Sequence, residues 1–248
     1  MKIGAQFYSI RDNTTSPEDL KKAFQRIKEI GYEAAQMSAI CEISPELLKS
    51  YSEEFNLPIT CTHSPYDRIV NDTDALIKEH KTYGCSTIGL GYMPNEFHGG
   101  GIYDFIDSIR EPLKKIKAAG LDFAYHNHAF EFQSVDGKLI YDIMIDELPE
   151  LSFIVDTYWI KYAGCDYIDY IKRIGAKRIK NIHFKDMKTE PQGEICPCGE
   201  GVIDFAPVVK LCDELGIENA LVEQDNAPDS GDSIAQMKLS YENLKHLF

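Results

Sequence analysis

No stretch of the chain approaches ~18 consecutive apolar residues, so no membrane span is expected. The opening MKIGAQFYSI has neither a long apolar core nor a small-residue cleavage site, and a cytoplasmic protein is the expectation. Basic residues are scarce: 26 Lys and Arg stand against 40 Asp and Glu, a net charge of −14. A phosphate-backbone partner needs clustered Lys and Arg, so nucleic acid is not an expected partner. No G-x-x-x-x-G-K-[ST] loop is present, and no G-x-G-x-x-G follows the first apolar run, which removes the two strongest nucleotide signatures. Paired C-x-x-C spacing is missing too. Five of the seven cysteines are scattered in apolar or helical context, and Cys196 and Cys198 form a lone C-P-C in a loop. Reduced, partly buried thiols are expected rather than a zinc knuckle or a disulfide framework.

Apolar runs of six or seven residues alternate with longer amphipathic stretches. Strands are predicted at 3–8, 32–37, 57–62, 86–92, 121–127, 151–157, 179–184 and 220–225. None alternates cleanly between apolar and polar, as expected for strands covered on both faces. Helices are predicted at 17–30, 44–56, 72–84, 103–120, 140–148, 166–175, 205–216 and 233–248. The first has Ser16 as N-cap, Pro17 at the first helical position and Gly31 as its stop. Eight strands and eight helices in strict alternation, within 248 residues, point to a (β/α)₈ TIM barrel forming one domain over residues 1–248.

Such barrels place chemistry at the C-terminal strand ends. His126, His128 and Glu131 follow strand five, Asp156 ends strand six, His183 lies in strand seven with Lys185 and Asp186 beyond it, and Glu223 ends strand eight. Strand three adds His63, and strand one adds Gln6 and Tyr8. A single His at a strand end is most often a satisfied core group. Four converging acidic or imidazole groups would repel, or stay badly desolvated, without a cation. A mostly carboxylate set with one imidazole suits Mn²⁺ first, with Mg²⁺, Co²⁺ or Zn²⁺ open.

The segments QFYSIRD (6–12), YHNHAFEF (125–132), DTYW (156–159), HFKD (183–186), GEGVIDF (199–205) and VEQD (222–225) run in order from end to end. In these the chain resembles the xylose isomerase-like TIM barrels, the sugar phosphate isomerase/epimerase superfamily. The resemblance implies a divalent metal held by one group from each of strands five to eight: Asp156, His183, Glu223 and, from strand five, Glu131, with His126 and His128 as competitors. Tyr125 and Gln36 stand where many relatives carry Glu, which departs from a two-glutamate proton shuttle.

The implied activity is a metal-dependent sugar isomerase or epimerase that moves a proton beside a chelated carbonyl or hydroxyl. Glu131, Glu223 and His128 are the candidate bases. Gln6, Tyr8, His63, His126, Trp159, Lys185 and Glu200 are the candidate substrate-binding residues, with Glu200 on a loop able to close over the mouth. Arg11 clamps substrate or pairs with Asp12. The expected partner is a small sugar or sugar derivative, and self-association is left open. The first alternative is a lyase or hydrolase acting on 3-keto-sugar glycosides by β-elimination. A decayed sugar-binding barrel is another. A three-zinc DNA-repair endonuclease on the same barrel is disfavoured by seven histidines and the net charge of −14.

Overall fold

Each barrel strand is short, apolar and buried along most of its length, so it can be covered by its neighbours and by helices at once. The structure is a computed structural model and describes residues 1–190 and 193–248. The strands are β1 (Lys2–Gln6), β2 (Ala34–Met37), β3 (Ile59–Thr62), β4 (Thr87–Leu90), β5 (Asp122–His126), β6 (Ser152–Asp156), β7 (Ile179–Phe184) and β8 (Asn219–Val222). All pairs are parallel, in the order β3-β2-β1-β8-β7-β6-β5-β4. The ring closes through a single bridge between Ser64 and Leu90, where the Ser64 N–H donates to Gly89 O at 2.8 Å. Gly89 permits that seam, because a Cβ there would lie 2.1 Å from Thr62 O. The predicted (β/α)₈ barrel is therefore observed, nearly closed.

The helices are α1 (Pro17–Ile30), α2 (Pro45–Glu54), α3 (Tyr66–Asn71), α4 (Thr73–Tyr83), α5 (Ile102–Ala118), α6 (Ile140–Glu147), α7 (Thr157–Tyr162), α8 (Tyr167–Ile174), α9 (Ala206–Leu215) and α10 (Ser233–Leu244). Ser16 and Ser44 cap α1 and α2 by accepting from the N–H groups of Asp19 and Leu47. None of these helices is long and apolar enough to cross a membrane.

Two helices, α3 and α7, were not predicted. The second matters for the site. Strand β6 stops at Asp156 because that carboxylate turns to cap α7, accepting from Trp159 N–H at 2.9 Å. Strand β8 likewise ends at Val222, short of its predicted end at 225. Glu223 still reaches the rim because its N–H donates to Phe184 O at 2.9 Å.

Candidate metal centre and barrel mouth

Strand register brings four donors together. Asp156 on β6 pairs with His183 on β7, and His183 pairs with Leu221 on β8, two residues before Glu223. His126 ends β5 beside β6. One ligand atom from each of His126, Asp156, His183 and Glu223 falls within 4.8 Å of all the others, and all four residues are buried. His126 Nε2 lies 3.2 Å from Asp156 Oδ2 and 3.8 Å from Glu223 Oε2. His183 Nδ1 lies 2.9 Å from Glu223 Oε2 and 3.8 Å from Asp156 Oδ2.

The surrounding hydrogen bonds fix what these atoms present. His126 Nδ1 is 3.3 Å from Gly91 O, and His183 Nε2 is 2.8 Å from Gln36 Oε1. Both oxygens only accept, so each takes that ring nitrogen's proton. The remaining nitrogens, His126 Nε2 and His183 Nδ1, then face two carboxylate oxygens with their lone pairs. Burial, and next the neighbouring His183 ring, pushes the His126 pKa down to about 3, which keeps that ring neutral. Burial pushes Asp156 up, whereas Lys185 and His183 outweigh burial at Glu223 and hold it well below the usual carboxylate range. Four acceptors converging on one point is the arrangement a cation stabilises, and the cluster could hold a metal ion.

The structure does not bring Glu131 into this cluster, which corrects the expected strand-five ligand. Glu131 is wholly buried in a turn after β5, where it accepts from the Tyr125 hydroxyl at 2.5 Å and from His128 N–H at 2.8 Å. A phenol buried in place of a carboxylate needs an acceptor, and Glu131 supplies it. Both its oxygens are engaged by these partners, and it does not border the mouth above the cluster. His126 occupies the strand-five place instead. The cluster thus holds two imidazoles and two carboxylates, which disfavours Mg²⁺ against Mn²⁺, Co²⁺ or Zn²⁺.

Burial pushes the Glu131 pKa up to about 8, over the opposing pull of Tyr125 and the backbone N–H groups. In the unfolded chain the same group ionises near 4.5. Below 4.5 both states hold the proton. As pH rises toward 8 the unfolded chain releases it while the folded chain keeps it, so the stability present at acid pH is progressively lost. Glu131→Gln is expected to flatten this dependence, which urea midpoints at about pH 5 and about pH 8 will check.

Above the cluster lies a mouth of about 420 Å³, bordered by Tyr8, His63, Ser64, His126, His128 and Lys185 among others. His126 and His128 both face it, with ring centroids 4.8 Å apart. Gln6 lies beneath. Its Oε1 accepts from Tyr8 N–H, so its Nε2 donates to His63 Nδ1 at 3.3 Å. His63 therefore carries its proton on Nε2, an atom with no partner among the described residues; His128 Nδ1 has none among them either. Lys185 is buried and pairs with Asp225 at 2.6 Å and Glu223 at 3.6 Å. Burial opposes its charge, but Glu223, Asp225 and Asp156 outweigh burial and hold it charged. Trp159 packs beside His128 and under the Lys185 ammonium, 5.0 Å from the ring centroid, rather than bordering the mouth. Arg11 donates to Tyr8 O and Asp225 O and so braces the first loop; its carboxylate neighbour Asp12 instead accepts from Ser233.

Lys185 does not pair with Asp186. Asp186 accepts from four backbone N–H groups, those of Met187, Gly199, Gly201 and Ile203, all at 2.8–3.0 Å. It anchors the loop that carries Glu200. Gly201 allows the close approach, since a Cβ would meet Asp186 Oδ1 at 2.2 Å. Glu200 itself is exposed and borders no part of the mouth, which corrects its expected role. Asp186→Ala is expected to cost about 3 kcal/mol or more, because four N–H groups lose a charged acceptor; urea unfolding will measure it.

Asp225, Ser38, Ser64, Tyr66 and Tyr92 also border the mouth and were not singled out from the sequence. The signal for Asp225 was available, since it stands two residues after Glu223 and so shares its face. His98 stacks on Phe130 with ring centroids 3.7 Å apart and touches Tyr92, which touches His128. A second cleft of about 730 Å³ shares Ser38, His63, Ser64 and Pro65 with the mouth and continues past Ile40, Ile43, Leu48 and Leu76.

The family model for the xylose isomerase-like TIM barrel matches residues 24–245. The chain belongs to the xylose isomerase-like TIM barrel family. Among relatives of this barrel family, inosose dehydratase of Clostridium perfringens is 26% identical over 145 residues, and the match spans about half of each chain (48%). Inosose dehydratase of Lacticaseibacillus casei is 21% identical, across 84% of this chain and 83% of its own. A sugar phosphate isomerase/epimerase of Parabacteroides distasonis superposes with a TM-score of 0.79 at 22% identity, over 99% of this chain and 98% of that one. At that identity the likeness concerns the barrel alone.

Proposed function

We propose that the chain is a metal-dependent lyase that removes the substituent β to the carbonyl of a keto-sugar, releasing the aglycone of a 3-keto-glycoside. The observation that carries this reading is that, outside the metal cluster and the Lys185–Asp225 pair, the bases facing the mouth are imidazoles: Glu131 is engaged by Tyr125 and the His128 N–H, so it does not form a pair of free glutamates with Glu223. Inversion of a sugar carbon between two bases lacks its second carboxylate here. The relatives named inosose dehydratase support the reading, because loss of water beside a ketone is the same elimination. The adjoining cleft gives a leaving group room.

His126, Asp156, His183 and Glu223 would hold the metal, which supplies Lewis-acid polarisation of the substrate carbonyl when bound. Mn²⁺ is the metal proposed. His128, neutral because burial and His126 hold its pKa well below the usual range, takes the proton from C2. Electron density moves onto the C3 oxygen. His63 Nε2–H and the Lys185 ammonium donate to that oxygen; a neutral imidazole in this role is an electrophile, not a formal acid. The C1–O bond then breaks as C1=C2 forms, and His128 returns its proton to the departing oxygen. Atoms balance as an enone plus an alcohol.

Isomerisation of a free ketose is the second reading, with Glu223 at the mouth as its single base. Incubation of the metal-loaded protein with p-nitrophenyl 3-keto-β-D-glucoside and, separately, with ketohexoses distinguishes the two. Metal-dependent nitrophenol release is expected. Interconversion of ketohexoses with the glycoside left intact would overturn the proposal.

A further inference from the structure

The seam between β3 and β4 carries a hydrogen-bond chain that the chemistry above does not use. His80 on α4 is almost fully buried. Its Nδ1 lies 2.7 Å from Leu76 O, the carbonyl one turn earlier, and 2.9 Å from the Tyr83 hydroxyl. A carbonyl only accepts, so Nδ1 carries the proton. Burial pushes the His80 pKa down to about 4, so near neutral pH the ring has one proton and its Nε2 is an acceptor. Nε2 lies 2.9 Å from Thr62 Oγ1, and the Thr62 hydroxyl must therefore donate to it. Thr62 Oγ1 lies 3.0 Å from Ser64 Oγ. With its only proton committed to His80, Thr62 can meet Ser64 only as an acceptor, so the Ser64 hydroxyl donates to Thr62. Every proton in the chain points away from the mouth and toward Leu76 O. Ser64 borders both the mouth and the adjoining cleft, and it presents lone pairs there.

We infer that Ser64 is a specificity-determining acceptor for a substrate hydroxyl, and that His80 acts through Thr62 as its positioning residue. The inference deepens the keto-sugar reading above and rests on it. At this corner the mouth accepts a hydroxyl proton and turns away a carbonyl, carboxylate or phosphate oxygen. The substrate class it selects is a polyhydroxylated sugar whose free hydroxyl, not an esterified one, faces β3.

Two probes and one spectrum test this. Methyl 3-keto-β-D-glucoside reports KM and kcat; methyl β-D-glucoside, which cannot react, reports a Kd. Ser64→Ala and Thr62→Val are expected to raise KM and Kd roughly 3- to 10-fold, the worth of one hydrogen bond, and to leave kcat within about two-fold. Thr62→Ser is expected to restore both, which a merely structural defect would not show. Nitrogen-15 spectra of the His80 ring are expected to show the proton on Nδ1. A proton on Nε2, or a Kd unchanged in Ser64→Ala and Thr62→Val, would overturn the inference, as would a wild-type protein that binds neither glucoside. Should the Kd pattern hold while methyl 3-keto-β-D-glucoside is never consumed, the acceptor stands and the elimination reading falls.

Discussion

His126→Ala is expected to retain less than about a tenth of an equivalent of divalent metal, against near one for the wild type and for Glu131→Gln. The contrast follows from where the two side chains point. His126 Nε2 faces Asp156 Oδ2 and Glu223 Oε2, with its other nitrogen bound to Gly91 O. Glu131 has both oxygens engaged, by Tyr125 and by His128 N–H. Loss of an imidazole that faces the ion removes a bond and leaves two carboxylate oxygens repelling across the gap. Replacing the Glu131 carboxyl by an amide changes only a turn outside the cluster. Elemental analysis by mass spectrometry reads the result. Metal retained by His126→Ala and lost from Glu131→Gln would return the strand-five ligand to the carboxylate.

His128→Ala is expected to slow elimination roughly 10²- to 10⁴-fold while bound metal stays near one equivalent. The size of the loss should depend on the leaving group. His128 both takes the C2 proton and returns it to the departing oxygen. Methanol needs that proton, because methoxide is a poor leaving group. Nitrophenolate leaves as an anion and needs it far less. The methyl glycoside should therefore suffer more than the p-nitrophenyl glycoside. Equal losses for the two would assign His128 to proton abstraction alone. No loss for either would remove it from the chemistry and leave Glu223 as the base.

The barrel was legible in the sequence because its local signals agreed. Ser16 announced a helix start and caps as read, and Ser44 caps α2 in the same way. Strands without clean apolar–polar alternation announced coverage on both faces, and β6 is buried at every residue. Asp156, His183 and Glu223 were readable as rim residues because each lies at, just inside or just past the end of a strand. What failed was geometry past the strand ends. His126 and His128, two residues apart, both face the mouth, but pleat alternation cannot follow a chain that turns at Ala129. Glu131 lies on that turn, and its direction is set by a tertiary contact with the Tyr125 hydroxyl. Tyr125 was noticed as a missing carboxylate; the need of a buried phenol for an acceptor was the unread half of that signal. Glu200 failed similarly. The G-E-G segment looked like a lid, yet its two glycines serve to let backbone N–H groups reach Asp186. Ser64 could not be found at all without the seam between β3 and β4.

The most direct test of elimination is a proton NMR time course of the metal-loaded protein with methyl 3-keto-β-D-glucoside in D₂O. The account expects the C2 proton signal to fall in step with the appearance of free methanol and of an enone. A C2 centre that exchanges to deuterium or inverts while the methyl glycoside stays intact would contradict it, and would make the chain an epimerase.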